Sequence, residues 1–103
     1  MPEYRLTQAA EDDLIGIWQY SDDTWGRQQA DRYYDRLRDC CDHIADASVP
    51  LRPVDGCRAV FLHRCEQHCI FYSRAEGLVI LAFLNERMDL PNRLAERFDR
   101  SPG

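Results

Sequence analysis

The longest apolar run in the chain is Leu78-Val79-Ile80-Leu81-Ala82-Phe83-Leu84. It does not alternate with polar residues, which is typical of a β-strand that is covered on both faces. Segments 57–64 and 68–73 are also rich in strand-forming residues, and the connections between the three segments are short enough for hairpins. The pattern therefore predicts an antiparallel meander of strands, with the run 78–84 at the centre of the sheet.

Two amphipathic helices are predicted on the N-terminal side of these strands. Apolar residues recur at helical spacing over residues 8–24, where Thr7 supplies an N-cap hydroxyl, and again from Ala30 to near Ala47. The connection around Gly26 is so short that it forces the helices into an antiparallel hairpin. We expect the aromatic side chains of this hairpin to lie in the core, and they are Trp18, Trp25, Tyr33 and Tyr34.

The chain as a whole is predicted to be one α+β domain over residues 1–103. A short strand at residues 4–6 precedes the helical hairpin, which gives the element order β-α-α-β-β-β. The spacing of Leu94 and Phe98 adds a short terminal helix over residues 90–98. With 103 residues, of which 45% are hydrophobic, the chain is too short for two cores and too apolar for disorder.

The alternating pattern of segment 57–64 leaves the orientation of that strand open. One face carries Val60 and Leu62 between two arginines, and the other carries Phe61 between small or polar side chains. Both faces contain apolar residues, so the pattern alone does not decide between them. We expect the face with Val60 and Leu62 to lie over the helices.

The charge of the chain argues against a general nucleic-acid-binding protein. Its net charge is −5, and all 13 of its cationic side chains are arginines. The sequence opens with Pro2, Glu3 and Arg5 rather than with a basic and then hydrophobic signal segment. No apolar run approaches the roughly 18 residues that a membrane helix needs. We therefore expect a cytoplasmic protein.

The cysteines of the chain number 5 and stand at positions 40, 41, 57, 65 and 69. An odd number without a secretory signal favours reduced thiols over a disulfide framework. His63, Cys65, His68 and Cys69 are metal-ligand residue types, but the Cys-x2-Cys spacing typical of fixed zinc sites is absent. Simple burial of free cysteines explains the pattern better, so we expect neither a metal nor another cofactor.

Several short sequence words occur in a characteristic order along nearly the whole chain. They are Tyr4-Arg5-Leu6-Thr7, Ala10, Asp13-Leu14, Ile17-Trp18, Tyr20, Trp25-Gly26, Ala30, Tyr33, Gly56, Arg58, Ile70-Phe71-Tyr72, Leu84 and Arg87-Met88-Asp89. In this order and spacing they resemble ParE-type toxins of the RelE/ParE superfamily, the toxin halves of bacterial toxin–antitoxin pairs. The resemblance implies a helical hairpin on an antiparallel sheet and a ParD-like antitoxin whose C-terminal segment wraps the toxin. For the ParE branch it further implies inhibition of DNA gyrase by binding, without catalytic turnover.

Contacts with these partners can be assigned to candidate residues. An antitoxin is expected on the surface of the helical hairpin and on a free strand edge, and Trp18 and Tyr33 are the candidate antitoxin contacts. Arg58, Tyr72 and Arg87 are the candidate contacts with the gyrase target. On this interpretation the chain acts by binding proteins and does not bind nucleic acid directly.

A second interpretation is a ribosome-dependent ribonuclease of the RelE branch. Cleavage of messenger RNA through its 2′-hydroxyl needs a base, an acid and cations around the phosphate. Arg58, Arg64, Arg74 and Arg87 are the candidate cations, and His63, His68 or Tyr72 are the candidate proton carriers. The specific hypothesis uses Arg58 and Arg87 with Tyr72.

A third interpretation follows from the end of the central strand, where relatives commonly have the motif Arg-x-Leu-His. This chain has Ala82 and Asn85 at the positions of the Arg and the His. Loss of both side chains is consistent with a module that still binds its antitoxin but has lost its toxicity.

Overall fold

The computed structural model describes residues 3–57, 59–75 and 77–85. Along the chain these form β1 (Arg5–Leu6), α1 (Gln8–Trp25), α2 (Arg27–Ala45), β2 (Val60–Cys65), β3 (His68–Ser73) and β4 (Val79–Asn85). The predicted α+β class and the order β-α-α-β-β-β are confirmed. The predicted helix over residues 90–98 lies outside the described residues.

The four strands form one sheet in the order β1-β4-β3-β2. The predicted antiparallel meander of β2, β3 and β4 is confirmed, and β4 lies between β3 and β1 in the interior of the sheet. Strand β1 pairs with β4 in parallel, and its Arg5 N–H donates to the Leu78 carbonyl at 3.1 Å. The sheet is therefore mixed, a feature that the sequence does not reveal because a strand of two residues carries no signal for its direction.

The hairpin of α1 and α2 forms for the reasons that the sequence suggests. The Thr7 side chain accepts a hydrogen bond from the Ala10 amide at 3.0 Å and so caps α1. Gly26 alone separates the two helices, and its φ of 98° lies in a region that favours glycine. Among the residues that the structure describes, no helix has both the length and the apolar character needed to cross a membrane.

The main core lies between the hairpin and one face of the sheet. The helices contribute Ala10, Leu14, Leu37, Cys41 and Ile44, and the sheet and its flanks contribute Cys65, Ile70, Tyr72, Leu78, Ile80 and Phe83. A smaller cluster on the opposite face consists of Cys69, Phe71, Ala82 and Leu84. Strand β4 supplies residues to both clusters, which confirms that its continuous apolar run is covered on both faces. A bulge in its pairing with β3 gives β4 one extra residue, Leu81.

The predicted orientation of the first meander strand is wrong. Val60 and Leu62 pack against the smaller cluster, away from the helices, whereas Phe61 packs in the main core. Regular pairing begins only at Val60, after Ala59 in a left-handed conformation with φ 60°. The preceding loop then pairs along β2 and brings Val54 against the face with Val60 and Leu62, which gives those side chains apolar neighbours without the helices.

The prediction that all five cysteines are reduced is also wrong. Cys40 on α2 and Cys65 at the end of β2 form a disulfide, with their Cα atoms 6.4 Å apart. The remaining thiols are Cys41, Cys57 and Cys69. An odd count excludes a complete set of bridges, but it does not exclude one bridge, and 25 positions of sequence separate these two partners.

Candidate functional site

A groove of about 660 Å³ lies between the helical hairpin and one end of the sheet. We call it the aromatic groove. Helices α1 and α2, the β2–β3 turn and the end of β4 line it, and its residues include Asp12, Ile17, Tyr20, Trp25, Tyr33 and Phe83. Positions 13, 17 and 20 of α1 face it together because they lie at i, i+4 and i+7 of the helix. A concave surface that combines apolar and polar side chains is the usual form of a binding site.

Two aromatic side chains near the C-terminal end of α1 are exposed at this groove. Tyr20 is 64% exposed and Trp25 is 63% exposed, and their rings meet edge to face with centroids 6.0 Å apart. The prediction that Trp25 lies in the core is wrong. The helical spacing that Trp25 shares with Trp18 shows that both residues lie on one face of the helix, but it does not show how much of that face is buried. Exposed aromatic surface next to a groove indicates a site for another macromolecule. Tyr20 and Trp25 are thus site residues that the sequence did not single out.

Tyr33, one of the two candidate antitoxin contacts, lines the aromatic groove from α2. Its hydroxyl lies 2.7 Å from His68 Nδ1 and accepts a hydrogen bond from the Gln67 amide at 3.2 Å. Since the hydroxyl oxygen accepts from Gln67, its own proton is available to donate to the imidazole. Tyr33 therefore joins α2 to the start of β3 while its half-buried ring remains part of the groove wall.

The β2–β3 turn forms one wall of the groove and is joined to α2 by two further contacts, both C-terminal to Tyr33 on that helix. Arg36 pairs with Glu66 of the turn, and the Cys40–Cys65 disulfide anchors the residue before it. Together these contacts hold the wall in place without a bound partner. A preformed site loses less conformational entropy on binding than a mobile one.

Trp18, the other candidate antitoxin contact, lies outside the lining of the aromatic groove. Its indole N–H donates to Asp31 Oδ1 at 2.8 Å, and the Arg27 guanidinium lies 5.1 Å from the ring centroid. Trp18 thus links α1 to α2 on the hairpin surface. The structure does not bring the two candidate residues into one groove.

The charged groups that line the aromatic groove are acidic. Among the described lining residues, carboxylates are supplied by Asp12, Asp13 and Glu66, and no arginine contributes. Asp13 Oδ2 accepts a hydrogen bond from the Phe83 amide at 3.0 Å, which ties the end of β4 to α1. Asp12 accepts from Gln8 Nε2 at 3.0 Å at the exposed side of the helix. The groove therefore favours a positively charged partner segment.

A second and wider groove, of about 1190 Å³, follows β1 along the other side of the hairpin. Arg38 projects into it and donates to the hydroxyls of Tyr4 at 2.9 Å and Tyr34 at 3.1 Å. Burial raises the pKa of Tyr4, although the hydrogen bond from Arg38 acts in the opposite direction. Ile15 at the groove is 55% exposed. Strand β1 is an outer strand of the sheet. The groove therefore runs beside a strand edge that has no partner strand among the described residues.

Tyr72, a candidate gyrase contact, lies inside the main core. Its side chain is 0% exposed, and the centroids of its ring and that of Phe61 are 5.7 Å apart. The Arg74 guanidinium lies 5.8 Å from the Tyr72 ring centroid. The buried hydroxyl has no hydrogen-bond partner among the described residues. Burial raises the pKa of Tyr72, opposed by Arg74, so the phenol stays protonated at neutral pH.

A pair of Tyr→Phe substitutions should separate these two tyrosines. Tyr72→Phe removes a buried hydroxyl that has no hydrogen-bond partner among the described residues, so we expect the free energy of unfolding to stay constant or to rise by about 1 kcal/mol. Tyr33→Phe removes the hydrogen bonds to Gln67 and His68 and should lower it by about 1–2 kcal/mol. Urea unfolding followed by circular dichroism measures both values. Equal destabilisation by the two substitutions would contradict this assignment.

The other candidate target contacts, Arg58 and Arg87, lie outside the described residues. Of the candidate proton carriers, His63 is half-buried, and burial lowers its pKa, with Arg52 and His43 acting in the same direction. The imidazole of His68 is engaged by Tyr33, as described above.

The candidate metal-ligand set is divided by the fold. Cys65 is oxidised to a disulfide, and Cys69 packs in the smaller cluster on the other face of the sheet. Within the part of the chain that the structure describes, no three His, Cys, Asp or Glu side chains are grouped in a way that could hold a metal ion.

The two positions that depart from the motif of relatives have different surroundings. Ala82 is 0% exposed in the smaller cluster, beside Phe71 in the pairing of β3 and β4. Asn85 ends β4 and lines the aromatic groove. The replacement of the Arg thus lies in a buried apolar cluster, whereas the replacement of the His lies at the aromatic groove.

Comparison with known proteins gives one consistent result. A family model described as the ParE toxin of the type II toxin–antitoxin system parDE matches residues 4–90. Toxin ParE of Escherichia coli is 39% identical over 100 residues, which cover 94% of this chain and 97% of that protein. Toxin ParE1 of Caulobacter vibrioides is 33% identical over 91 residues, which cover 86% and 94% of the two chains. A solved chain of the chromosomal ParDE system from P. aeruginosa shares the fold, with a TM-score of 0.71, 16% identity and coverage of 82% of this chain and 96% of that one.

Proposed function

The chain belongs to the ParE toxin family of type II toxin–antitoxin systems, and from this membership we propose that it binds two proteins, a ParD-like antitoxin and DNA gyrase. Free toxin inhibits gyrase by binding, and the antitoxin neutralises it. The observation that carries the proposal is the match to ParE proteins over nearly the full length of both chains.

The described residues give more support to binding than to RNA cleavage. A proton carrier must reach the 2′-hydroxyl of its substrate. Of the three candidate carriers, Tyr72 is buried in the core, whereas His63 and His68 are half-buried and Nδ1 of His68 is hydrogen-bonded to Tyr33. The described residues also form open grooves, and the aromatic groove displays Tyr20 and Trp25 to the solvent.

The antitoxin is proposed to bind along the helical hairpin and the edge of β1. Tyr33 is a proposed contact from within the aromatic groove, and Trp18 is one from the surface that joins α1 and α2. An extended segment of the antitoxin can pair with the outer edge of β1 because Arg5 and Thr7 direct their amides to β4 and the amide between them points outward.

Gyrase is proposed as the target through Arg58, Tyr72 and Arg87. Tyr72 is interior, so its proposed contribution is indirect and acts through the position of Arg74, whose guanidinium lies over its ring. Arg74 also donates to the Ile44 carbonyl at the end of α2, which couples this arginine to the hairpin.

Purified toxin, free of antitoxin, should block ATP-dependent supercoiling of a relaxed plasmid by gyrase. An equimolar amount of the cognate antitoxin should restore supercoiling. Relaxation of the same plasmid by topoisomerase I serves as the control and should be unaffected.

The other interpretations give different results in the same experiments. Cleavage of messenger RNA on ribosomes, abolished by antitoxin, would replace the proposal with the ribonuclease function. Tight antitoxin binding without any effect on supercoiling would indicate a module without toxicity. Failure of the toxin to bind the antitoxin would contradict the proposal as a whole.

A further inference from the structure

The aromatic groove displays two large aromatic side chains, and no contact among the described residues explains why they are exposed. Tyr20 and Trp25 are each more than half exposed, although large aromatic side chains are usually buried. They form an edge-to-face pair, and a partner that covered them would remove a large apolar area from water. Aromatic residues of this kind commonly carry much of the energy of a protein–protein interface.

The charge around the groove restricts the kind of partner that fits. The Asp13 carboxylate accepts a hydrogen bond from the Phe83 amide, and the Glu66 carboxylate pairs with Arg36. Among the described residues, the Asp12 carboxylate accepts from a neutral donor, the Gln8 side-chain amide, and pairs with no cation, so its charge is uncompensated at the exposed side of α1. A cation of the partner would complement that charge, and an acidic partner would be repelled.

We propose that the aromatic groove receives a segment of the antitoxin in which an apolar side chain packs on Tyr20 and Trp25 and an Arg or Lys farther along the segment pairs with Asp12. This inference rests on the proposed antitoxin binding and adds the chemistry of the segment that binds. The groove is preformed because Asp13 fixes β4 and Tyr33 fixes the β2–β3 turn, so little ordering of the toxin opposes binding.

The test uses the whole chain of 103 residues and its cognate antitoxin, with affinity measured by titration calorimetry at low and high salt. Trp25→Ala should raise Kd by about tenfold or more, since it removes an aromatic anchor. Tyr20→Ser should also raise Kd. Both side chains are largely exposed, so thermal unfolding of the free toxin should stay near that of the wild type.

Matched controls separate this groove from general surface effects. Leu51→Ala removes another exposed apolar side chain, 56% exposed and outside the groove, and should leave Kd unchanged. Asp12→Asn should weaken binding by about threefold at low salt and much less at high salt. Asp23→Asn changes an exposed carboxylate of the same helix outside the groove and should have no such effect.

The cationic partner of Asp12 is located by exchanging each Arg and Lys of the antitoxin for Ala, in combination with Asp12→Asn. One antitoxin residue should lose affinity against the wild-type toxin but not against the Asp12→Asn variant. Wild-type affinity for Trp25→Ala, Tyr20→Ser and Asp12→Asn would overturn the groove assignment while antitoxin binding itself stands. No binding by the wild-type toxin would overturn both.

Discussion

Reduction of the Cys40–Cys65 disulfide should lower the free energy of unfolding of the oxidised toxin by about 3 kcal/mol. The bridge joins residues separated by 25 positions, and closing a loop of this size restricts the unfolded chain by roughly that amount. The hydrogen bonds of Tyr33 and the Arg36–Glu66 pair remain after reduction. We therefore expect the reduced protein to keep its fold and to unfold at a lower urea concentration.

The measurement compares urea midpoints with and without a dithiol reductant. Cys40→Ala and Cys65→Ala should unfold near the midpoint of the reduced wild type and should be insensitive to the reductant. Cys57→Ala, which leaves the bridge intact, should respond to the reductant as the wild type does. Oxidised protein in which all five thiols react with a thiol reagent under denaturing conditions would contradict the bridge.

The disulfide also affects the proposed binding surface. Cys65 directly precedes the β2–β3 turn, and this turn forms a wall of the aromatic groove. The bridge is therefore a covalent part of a wall that is otherwise held by an ion pair and hydrogen bonds. Loss of the bridge should change stability more than groove geometry, because those contacts bind the same turn to the same helix.

The elements of the fold that depend on local physics were predictable from the sequence. Thr7 and Gly26 delimit α1, since a capping hydroxyl and a residue that tolerates positive φ act within a few positions of themselves. The uninterrupted apolar run of β4 specifies its central place, because only a strand covered on both faces can bury every side chain.

Features that depend on distant parts of the chain were not predictable in this way. The alternating pattern of β2 is compatible with either orientation, and the observed one depends on the loop that pairs beside Val60. The approach of Cys40 to Cys65 depends on the packing of α2 against β2. Whether Trp25 is buried depends on which other elements pack over the end of α1. The helical periodicity that Trp25 shares with Trp18 carries no information on those elements.

The sequence did not show where the candidate contact residues lie. Tyr33 lines a groove, whereas Tyr72 belongs to the core, and the proposed roles of both stay predictions. A motif shared with a family, such as Ile70-Phe71-Tyr72, can reflect a residue's structural role as readily as a contact with a partner. Here the alternation of side chains along β3 directs Tyr72 toward the helices. The roles of Arg58 and Arg87 stay predictions.

Alkaline pH should destabilise the toxin through Cys41. This thiol is 0% exposed in the main core, and burial raises its pKa from an ordinary value of 9.0 to about 12. Above pH 9 the thiol ionises in the unfolded chain but stays protonated in the folded one. The folded state then binds more protons, so the free energy of unfolding falls as pH rises, by up to about 1.4 kcal/mol per pH unit until pH 12.

The contribution of Cys41 is isolated by comparing how steeply the free energy of unfolding falls with pH in each protein, rather than by comparing its absolute values. Cys41→Ala leaves a small cavity and lowers stability at every pH, but it should remove this contribution to the decline between pH 9 and 11. Cys57→Ala removes a thiol outside the core and should retain the wild-type slope. Tyr72, whose pKa burial also raises, adds the same decline to all three proteins at higher pH. The raised pKa of Tyr4 comes from burial and in part from Cys41, so its contribution at higher pH should be smaller in Cys41→Ala.

Urea unfolding at each pH, with the Cys40–Cys65 bridge verified by mass spectrometry, provides these slopes. The verification matters because thiolates that form in alkali can attack a disulfide and exchange with it. Identical slopes for the wild type and Cys41→Ala would show that this thiol does not have the raised pKa on which the predicted decline depends.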